Sequence, residues 1–447
     1  MRKRIFSAIL LSSLFMGTSA ILPPDGGTGG EPCTPTPENL AARARFADAK
    51  FGIFLHWGLY SMFGQGEWYM TNQDIDSHEY AKAANAFYPH DFDAAEWVRA
   101  IKGSGARYIT FTTRHHEGFS MWDTKQSDYN IMHTPYGRDV LRQLSDECRR
   151  QSLPLHLYYS HLDWTREDYP LGRTGLGTKR KNASKQGNWP SYYDFMNRQL
   201  RELLTEYGPV GCIWFDGWWD HDEDSIPFDW QLEAQYRLIH ELQPACLVGN
   251  NHHQTPFPGE DIQIFERDVP GENTAGLSGQ SISRLPLETC QTMNGMWGYK
   301  VKDQDYKSTC ELVRLLVRTS GKGANLLLNI GPQPDGKLPA AALARLDSIG
   351  RWLDRYGESI YGTTAGGVGD GENVVSTKKD GTLYLHFLSD SIRSMDLALP
   401  KKPRSVRTLV GDMPLSSSWK KGILHLEFTP VRDAWDSVVA VEGVTEP

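Results

Sequence analysis

The sequence contains little cysteine and no short metal or redox motif. Six cysteines occur in 447 residues, and no two of them form a C-x-x-C pair. This excludes zinc-finger and thioredoxin-like sites, and we expect the cysteines to be mainly buried free thiols. No H-x-H or H-E-x-x-H spacing lies on one element, so the sequence also lacks a metal motif carried by a single helix or strand.

Basic residues are not in excess, and long apolar runs are missing. The chain has 47 Lys and Arg against 55 Asp and Glu, which gives a net charge of −8. A general nucleic-acid binder needs a basic surface to displace counterions, so we expect no nucleic-acid partner. No stretch reaches the ~20 apolar residues that a membrane-spanning helix requires, so we also expect no membrane span.

The N-terminus has the pattern of a targeting segment. Three basic residues at positions 2–4 precede a short apolar run over residues 5–16, and the small residues that end at Ala20 offer a cleavage site. We therefore predict a signal peptide over residues 1–20, and a protein exported to the periplasm or the medium. The Pro- and Gly-rich residues 21–36 predict a flexible leader.

Strand-like and helix-like segments alternate between residues 37 and 361. Eight short apolar runs are separated, in most gaps, by segments with helical spacing. Because polar residues do not alternate within these runs, they predict parallel strands buried on both faces, and eight such units favour a (β/α)8-like barrel. After a Gly-rich break, short runs between turn residues predict an antiparallel β-sandwich over residues 362–447.

Polar side chains gather where the predicted strands end. His56 ends the first strand, His115 and His116 the second, Asp216 the fourth and Glu266 the sixth. Because the active site of a parallel barrel lies at the carboxyl ends of its strands, we expect these side chains to share one site. A carboxylate that follows a buried run, as Asp216 does, is costly unless it is paired or catalytic.

Two chemistries fit such a group of residues. Histidines beside carboxylates suggest metal-dependent hydrolysis. However, His115 and His116 are adjacent, and on a regular strand they would point to opposite faces and could not bind one ion. Paired carboxylates among His, Trp and Tyr side chains suggest glycoside hydrolysis instead.

Several long motifs occur in one order along the chain. They are FGIFLHWGLYS, GEWYM, ARYITFTTRHHEGFSMWDTKQSDYN, LHLYYS, IWFDGWW and GANLLLNIGPQPDG. In these motifs, residues 37–360 closely resemble glycoside hydrolase family 29, the retaining α-L-fucosidases. The resemblance implies a somewhat irregular (β/α)8-like barrel followed by a β-sandwich. It also implies an exo-acting hydrolase that removes terminal α-L-fucosyl residues from glycans.

The resemblance further implies roles for individual residues. Asp216, in the W-x-D pattern, corresponds to the catalytic nucleophile. Glu288, shortly before M-W-G-Y, resembles the acid/base, and Glu266 is its rival. Arg267 matches a fucose-binding arginine, although Arg284 lies in the same interval. The other fucose-binding positions that the resemblance implies are His56, Glu67, Trp68, His115, His116, Tyr159, Trp214 and Trp297.

These roles imply a double displacement that needs no metal and no organic cofactor, with a fucosylated oligosaccharide or glycoconjugate as the partner. Two alternatives remain: a fucose-binding module with lost or weak catalysis, and a metal-dependent hydrolase on the same barrel. The presence of both carboxylates argues against the first. Loss of activity in a chelator would identify the second.

Overall fold

The structure is a computed structural model that describes residues 34–170, 172–175, 187–411, 413–429 and 435–444. The predicted signal peptide and nearly all of the predicted leader lie outside the described residues. Among the described residues, no helix is both long and apolar enough to cross a membrane.

The larger part of the chain forms a nearly closed parallel barrel, which confirms the predicted fold class. Its sheet has the strand order β5-β4-β3-β2-β1-β8-β7-β6, and every pairing is parallel. The strands are β1 (Phe51–Leu55), β2 (Ile109–Arg114), β3 (Leu155–Ser160), β4 (Cys212–Asp216), β5 (Leu247–Asn251), β6 (Gln263–Glu266), β7 (Leu287–Thr292) and β8 (Asn325–Ile330).

Helices cover the outside of the barrel, and polar side chains define where several of them begin. Asp139 caps α5 by accepting from the Arg142 amide, and Ser308 forms a reciprocal capping box with Glu311 at the start of α8. The helices are α1 (Pro37–Ala49), α2 (Tyr69–Asn72), α3 (Ser77–Ala81), α4 (Ala94–Gly103), α5 (Val140–Gln151), α6 (Trp189–Glu206), α7 (Leu232–Leu242), α8 (Thr309–Gly321) and α9 (Ala340–Tyr356). Short 3₁₀ turns cover Leu59–Phe63, Lys82–Ala86, Ile131–His133, Trp218–His221 and Gly357–Ser359.

The barrel has a seam between β5 and β6, where no strand pairing joins the two edges. Asp261 lies in the connection between these strands and fills part of the gap. Its carboxylate accepts from the Val248 amide of β5 at 2.7 Å, and it also binds Arg43 of α1 at 2.6 Å and His240 of α7 at 2.8 Å. The carboxylate therefore satisfies one edge amide of β5 that a neighbouring strand would otherwise satisfy, while the Asp261 and Ile262 amides donate to the Val248 carbonyl.

Side chains along the barrel strands point alternately into the barrel interior and toward the surrounding helices. Phe54, Tyr158, Trp214 and Leu327 share one interior cluster with other alternate strand residues, as the two-residue period of a strand requires. Gly52 belongs to the same face and leaves room for the Tyr108 ring, which an added Cβ would overlap. The opposite faces of the strands pack against the helices.

The C-terminal region is an antiparallel sandwich, as the sequence predicts. Its two sheets have the orders β13-β16-β11-β10-β9 and β12-β15-β14. Strand β15 alternates exposed and buried residues, with its buried face toward the other sheet. The strands are β9 (Thr364–Ala365), β10 (Val374–Lys379), β11 (Thr382–Phe387), β12 (Ser394–Ala398), β13 (Ser405–Thr408), β14 (Leu415–Lys420), β15 (Ile423–Phe428) and β16 (Ser437–Glu442).

Candidate active site

A pocket opens at the carboxyl ends of the barrel strands and encloses about 240 Å³. Aromatic rings form most of its wall, and two carboxylates and several imidazoles face into it. Its lining residues are Phe54, His56, Trp68, His115, His116, Tyr158, Arg173, Trp214, Asp216, Trp219, Asn251, His253, Glu266, Leu277, Cys290 and Trp297.

Asp216 is the last residue of β4 and is held in a polar cradle. Its Oδ1 accepts from the amide of Gly217 at 2.8 Å and from the indole N–H of Trp219 at 2.9 Å, and its Oδ2 accepts from the Tyr158 hydroxyl at 3.0 Å. Gly217 has a φ of 97°, a conformation that favours glycine. The turn after β4 therefore fixes the direction in which the carboxylate points.

Glu266 is the last residue of β6 and lies opposite Asp216. The Asn251 amide nitrogen is 3.4 Å from Asp216 Oδ1 and 2.8 Å from Glu266 Oε2. These contacts limit the separation of the two oxygens to about 6 Å, close to the ~5–5.5 Å between the carboxyl groups of retaining glycosidases. His253 Nε2 also contacts Glu266 Oε2, at 3.0 Å.

The environments of the two carboxyl groups move their pKa values in opposite directions. Burial raises the pKa of Asp216 to about 6, and the nearby charge of Glu266 adds to this. Burial also raises the pKa of Glu266, but hydrogen bonds with His253 and Asn251, together with the charges of His253 and Arg267, outweigh burial and leave the pKa below its usual value. The two groups are thus an interacting pair.

Burial favours the neutral form of three imidazoles in the pocket, those of His56, His115 and His116. His56 Nδ1 lies 2.7 Å from the Asn329 amide oxygen, while the nitrogen of the same amide donates to the Trp297 carbonyl. The Asn329 oxygen therefore accepts from His56 Nδ1–H, and His56 Nε2 becomes an acceptor. Burial lowers the pKa of His56 to about 3 and also lowers that of His116.

His115 and His116 both line the pocket, although on a regular strand adjacent side chains would point to opposite faces. Strand β2 ends at Arg114, and its pairing with β3 shifts register between Thr112 and Arg114. The two histidines thus follow the strand, and their ring centroids are 4.1 Å apart. His116 Nδ1 contacts the Ser160 hydroxyl at 2.7 Å, and its Nε2 is 3.6 Å from Asp216 Oδ2.

The expected place of Tyr159 in the pocket is corrected to Tyr158. Tyr158 pairs with Trp214 across β3 and β4, so both side chains face the barrel interior, whereas Tyr159 pairs with Phe215 and faces the helices. The Tyr159 hydroxyl donates to Gln199 of α6 at 2.7 Å. The alternation of side chains along β3 therefore determines which of the two tyrosines lines the pocket.

The structure also corrects the expected position of Glu288. It is the second residue of β7 and pairs with Ile264, whereas Cys290 is level with Glu266. Glu288 consequently lies one layer below the pocket, fully buried, and does not face Asp216. Its oxygens accept from the Tyr108 hydroxyl at 2.5 Å and from the Trp214 indole at 2.8 Å.

Two of the other predicted residues support the wall rather than line it. Glu67 is buried and accepts from the Gly298 amide at 2.6 Å, and Arg267 lies over the Trp297 ring at 5.2 Å. Arg284 is exposed and does not reach the pocket. The predicted residues that do line it are His56, Trp68, His115, His116, Trp214, Asp216 and Trp297.

The sequence reasoning did not single out His253, Tyr158 or Arg173 as site residues. His253 lies two residues beyond β5 with a φ of 61°, and no motif marked it. Arg173 lies over the Trp219 ring at 5.5 Å and is paired with Asp222 and Glu223. Within the described ranges, no three His, Cys, Asp or Glu side chains are grouped as ligands for one metal ion.

A parallel barrel whose strand ends present two facing carboxylates in an aromatic pocket is the architecture of a glycoside hydrolase. The sequence model of the alpha-L-fucosidase family matches residues 29–358, and the chain belongs to this family.

Similar proteins agree with this assignment. The alpha-L-fucosidase of Dictyostelium discoideum is 31% identical, with 71% of each chain covered. The tissue alpha-L-fucosidase of Homo sapiens is 27% identical over 93% of this chain and 92% of its own. Among solved structures, alpha-L-fucosidase isoenzyme 1 from Paenibacillus thiaminolyticus is 32% identical, with a TM-score of 0.80 over 91% of this chain and 99% of its own.

Proposed function

We propose that this protein is a retaining exo-α-L-fucosidase that hydrolyses terminal α-L-fucosyl residues of glycans by double displacement. Asp216 is the nucleophile and Glu266, rather than Glu288, is the acid/base. The observation that carries this proposal is the pair of contacts from the Asn251 amide nitrogen, which reaches one oxygen of each carboxylate and so keeps these two oxygens within about 6 Å of each other in one pocket, a limit that the spacing of retaining glycosidases satisfies.

In the first step, the ionised Asp216 carboxylate attacks the anomeric carbon while Glu266 donates its proton to the leaving glycosidic oxygen. A covalent fucosyl ester on Asp216 results. In the second step, Glu266 removes a proton from a water molecule, which attacks the same carbon and releases Asp216. Two inversions give net retention, and Glu266 returns to its protonated form.

The pocket suits a small neutral sugar. The acceptor nitrogen of His56 can receive a hydrogen bond from a ring hydroxyl, and the neutral imidazoles introduce no charge that would favour an anion. Trp68, Trp297 and Phe54 offer apolar faces to C–H groups and to the C5 methyl group of fucose. A volume of about 240 Å³ fits one terminal residue, which agrees with exo action.

The assignment of the two carboxylates is tested with nitrophenyl α-L-fucoside and a fucosylated oligosaccharide. We expect Asp216→Gly to lower kcat by roughly 10⁴-fold on both substrates, because the covalent path is lost. Azide should restore cleavage of the nitrophenyl substrate with inverted configuration. We expect Glu266→Ala to lose roughly 10²–10⁴-fold on the oligosaccharide and much less on the activated substrate.

Azide should rescue Glu266→Ala with retained configuration, because the ester on Asp216 still forms. Glu233→Ala, an exposed carboxylate on α7 outside the pocket, is the matched control and should behave as wild type. Equal losses of Glu266→Ala on both substrates, without azide rescue, would remove Glu266 from the acid/base role. Loss of wild-type activity in a chelator would favour a metal-dependent hydrolase instead.

The proposal also includes export. It is supported by the basic residues 2–4, the apolar run 5–16 and the small residues that end at Ala20. Mass spectrometry of the protein from the periplasm or medium should find a mature N-terminus at Ile21. An intact Met1 on an intracellular product would contradict export.

A further inference from the structure

Glu288 is a buried acid that the proposed reaction does not use. It is fully buried, and each carboxylate oxygen has one partner: Tyr108 for Oε2 and the Trp214 indole for Oε1. Within the described part of the chain it forms no ion pair. Burying a carboxyl group without a cation is costly, so its place in the barrel calls for a function.

Trp214 lies between Glu288 and the pocket. Its ring lines the pocket, meets Phe54 edge-on at a centroid distance of 5.1 Å, and stacks on Tyr158 at 5.5 Å. Tyr158 in turn donates to Asp216. An indole has a single hydrogen-bond donor, so a partner that holds this donor also restricts the rotation of the ring.

We propose that Glu288 is a positioning residue that holds the Trp214 ring, through its indole N–H, in the orientation that contacts the bound sugar and supports Tyr158. This inference rests on the function proposed above for the pocket. Glu288 acts only through Trp214 and takes no part in proton transfer to or from the substrate.

The protonation state of Glu288 determines which substitution at this position is conservative. Burial raises its pKa to about 7, against the opposing hydrogen bonds from Tyr108 and Trp214. The neutral acid is thus well populated at neutral pH, and it still offers an oxygen to the indole. Glutamine is neutral, has the same shape and keeps that oxygen, whereas leucine fills the space without an acceptor.

The test measures kcat and KM of Glu288→Gln, Glu288→Leu, Trp214→Phe and the double variant Glu288→Leu/Trp214→Phe on nitrophenyl fucoside. We expect Glu288→Leu to raise KM about tenfold while kcat stays within about threefold, and Glu288→Gln to restore KM to about the wild-type value. The double variant should lose no more than the worse single variant, because both changes remove the same contact.

Several results would overturn the inference, and the first two differ in what they say of the proposed function. If Glu288→Leu shows azide rescue with retained configuration and a larger loss on oligosaccharides, Glu288 is the acid/base, and the role proposed for Glu266 fails as well. If Glu288→Leu changes only the melting temperature and its effect adds to that of Trp214→Phe, Glu288 is merely structural and the function stands. If Glu288→Leu does not fold, the other two single variants test the inference. An unchanged KM in Trp214→Phe would contradict it, and so would a raised KM in Glu288→Gln.

Discussion

Glu117 is the residue that most directly links protonation to stability. It follows the two pocket histidines and is fully buried; burial raises its pKa to about 8, although the Tyr80 hydroxyl bound to it lowers the value. The folded protein therefore binds this proton more tightly than the unfolded chain, whose glutamate has a pKa near 4.5. Its contribution to stability is complete below pH ~4.5 and is lost as the pH rises to about 8.

We predict that Glu117→Gln will flatten this dependence. The neutral amide has no charge to bury, so the melting temperature of the variant should fall less between pH 5 and about 8 than that of the wild type. Calorimetry at a series of pH values measures the difference. Parallel melting curves for the two proteins across this range would contradict the buried neutral state of Glu117.

A second prediction at the residue scale concerns the pH dependence of catalysis. Between the two pKa values the single proton of the pair lies mainly on Asp216, because the pKa of Asp216 is raised and that of Glu266 is lowered. The productive form, with Asp216 ionised and Glu266 protonated, is therefore a minor fraction of the singly protonated pair, and its population is greatest in this same pH range. Because the pKa of Asp216 is about 6 and that of Glu266 is lowered, we expect kcat/KM to be greatest at acidic pH, below about 6. His253→Gln should raise the pKa of Glu266 and move the acidic limb to higher pH. An unchanged profile would show that His253 does not control this titration.

Individual site residues differ in how well the sequence predicts them. Asp216 was predictable because it ends a strand, and by the same criterion Glu266, which ends β6, was a stronger candidate than Glu288, which begins β7. The choice between Tyr158 and Tyr159 depends on strand register, which periodicity alone does not fix. His253 was unpredictable because its position depends on a turn with positive φ.

At the scale of elements, the seam between β5 and β6 depends on the buried carboxylate of Asp261. Asp261→Ala would remove the carboxylate that Arg43, His240 and the Val248 amide bind. We predict a loss of about 3–5 kcal/mol in the free energy of unfolding, as for other broken buried ion pairs. Urea denaturation measures it, with Asp194→Ala, which removes an exposed ion pair on α6, as the control. Equal small losses in both variants would refute the role of Asp261.

The sequence pattern predicted the strands and helices better than it predicted which strands pair with each other. Most of the barrel strands are apolar runs, so they were recognisable from composition, whereas β7, Leu287–Thr292, is largely polar. The missing pairing between β5 and β6 was not predictable, because it depends on a side chain that replaces a strand edge. Strand β14, Leu415–Lys420, has no apolar run that would mark it in the sequence, because serines occupy half of it.

For the whole molecule, the sandwich packs against the barrel but contributes no described residue to the pocket. No lining residue of the pocket comes from the described residues after 361. Val375 of β10 is buried against Gly321 of α8, where no further side chain fits. We predict that Val375→Asp will lower the free energy of unfolding by more than ~2 kcal/mol, while kcat and KM of the folded fraction stay at wild-type values.

Ser394→Asp, an exposed position on β12, is the control and should melt as the wild type does. Chemical denaturation and kinetics on the same samples separate the two effects. A Val375→Asp protein that unfolds normally but cleaves fucosides poorly would mean that the sandwich acts on the site.

The seam between β5 and β6 also predicts which strands of the barrel unfold locally first. Backbone amides on a paired strand are protected from exchange with solvent deuterium on both sides, whereas β5 and β6 each have one edge held only by side chains and loops. Hydrogen–deuterium exchange should therefore label peptides from 247–251 and 263–266 before those from β1 and β2. Asn251 and Glu266 lie on opposite sides of this seam. Each such opening would therefore briefly separate Glu266 from Asp216. The enzyme would be inactive during the opening, although its remaining strands stay folded.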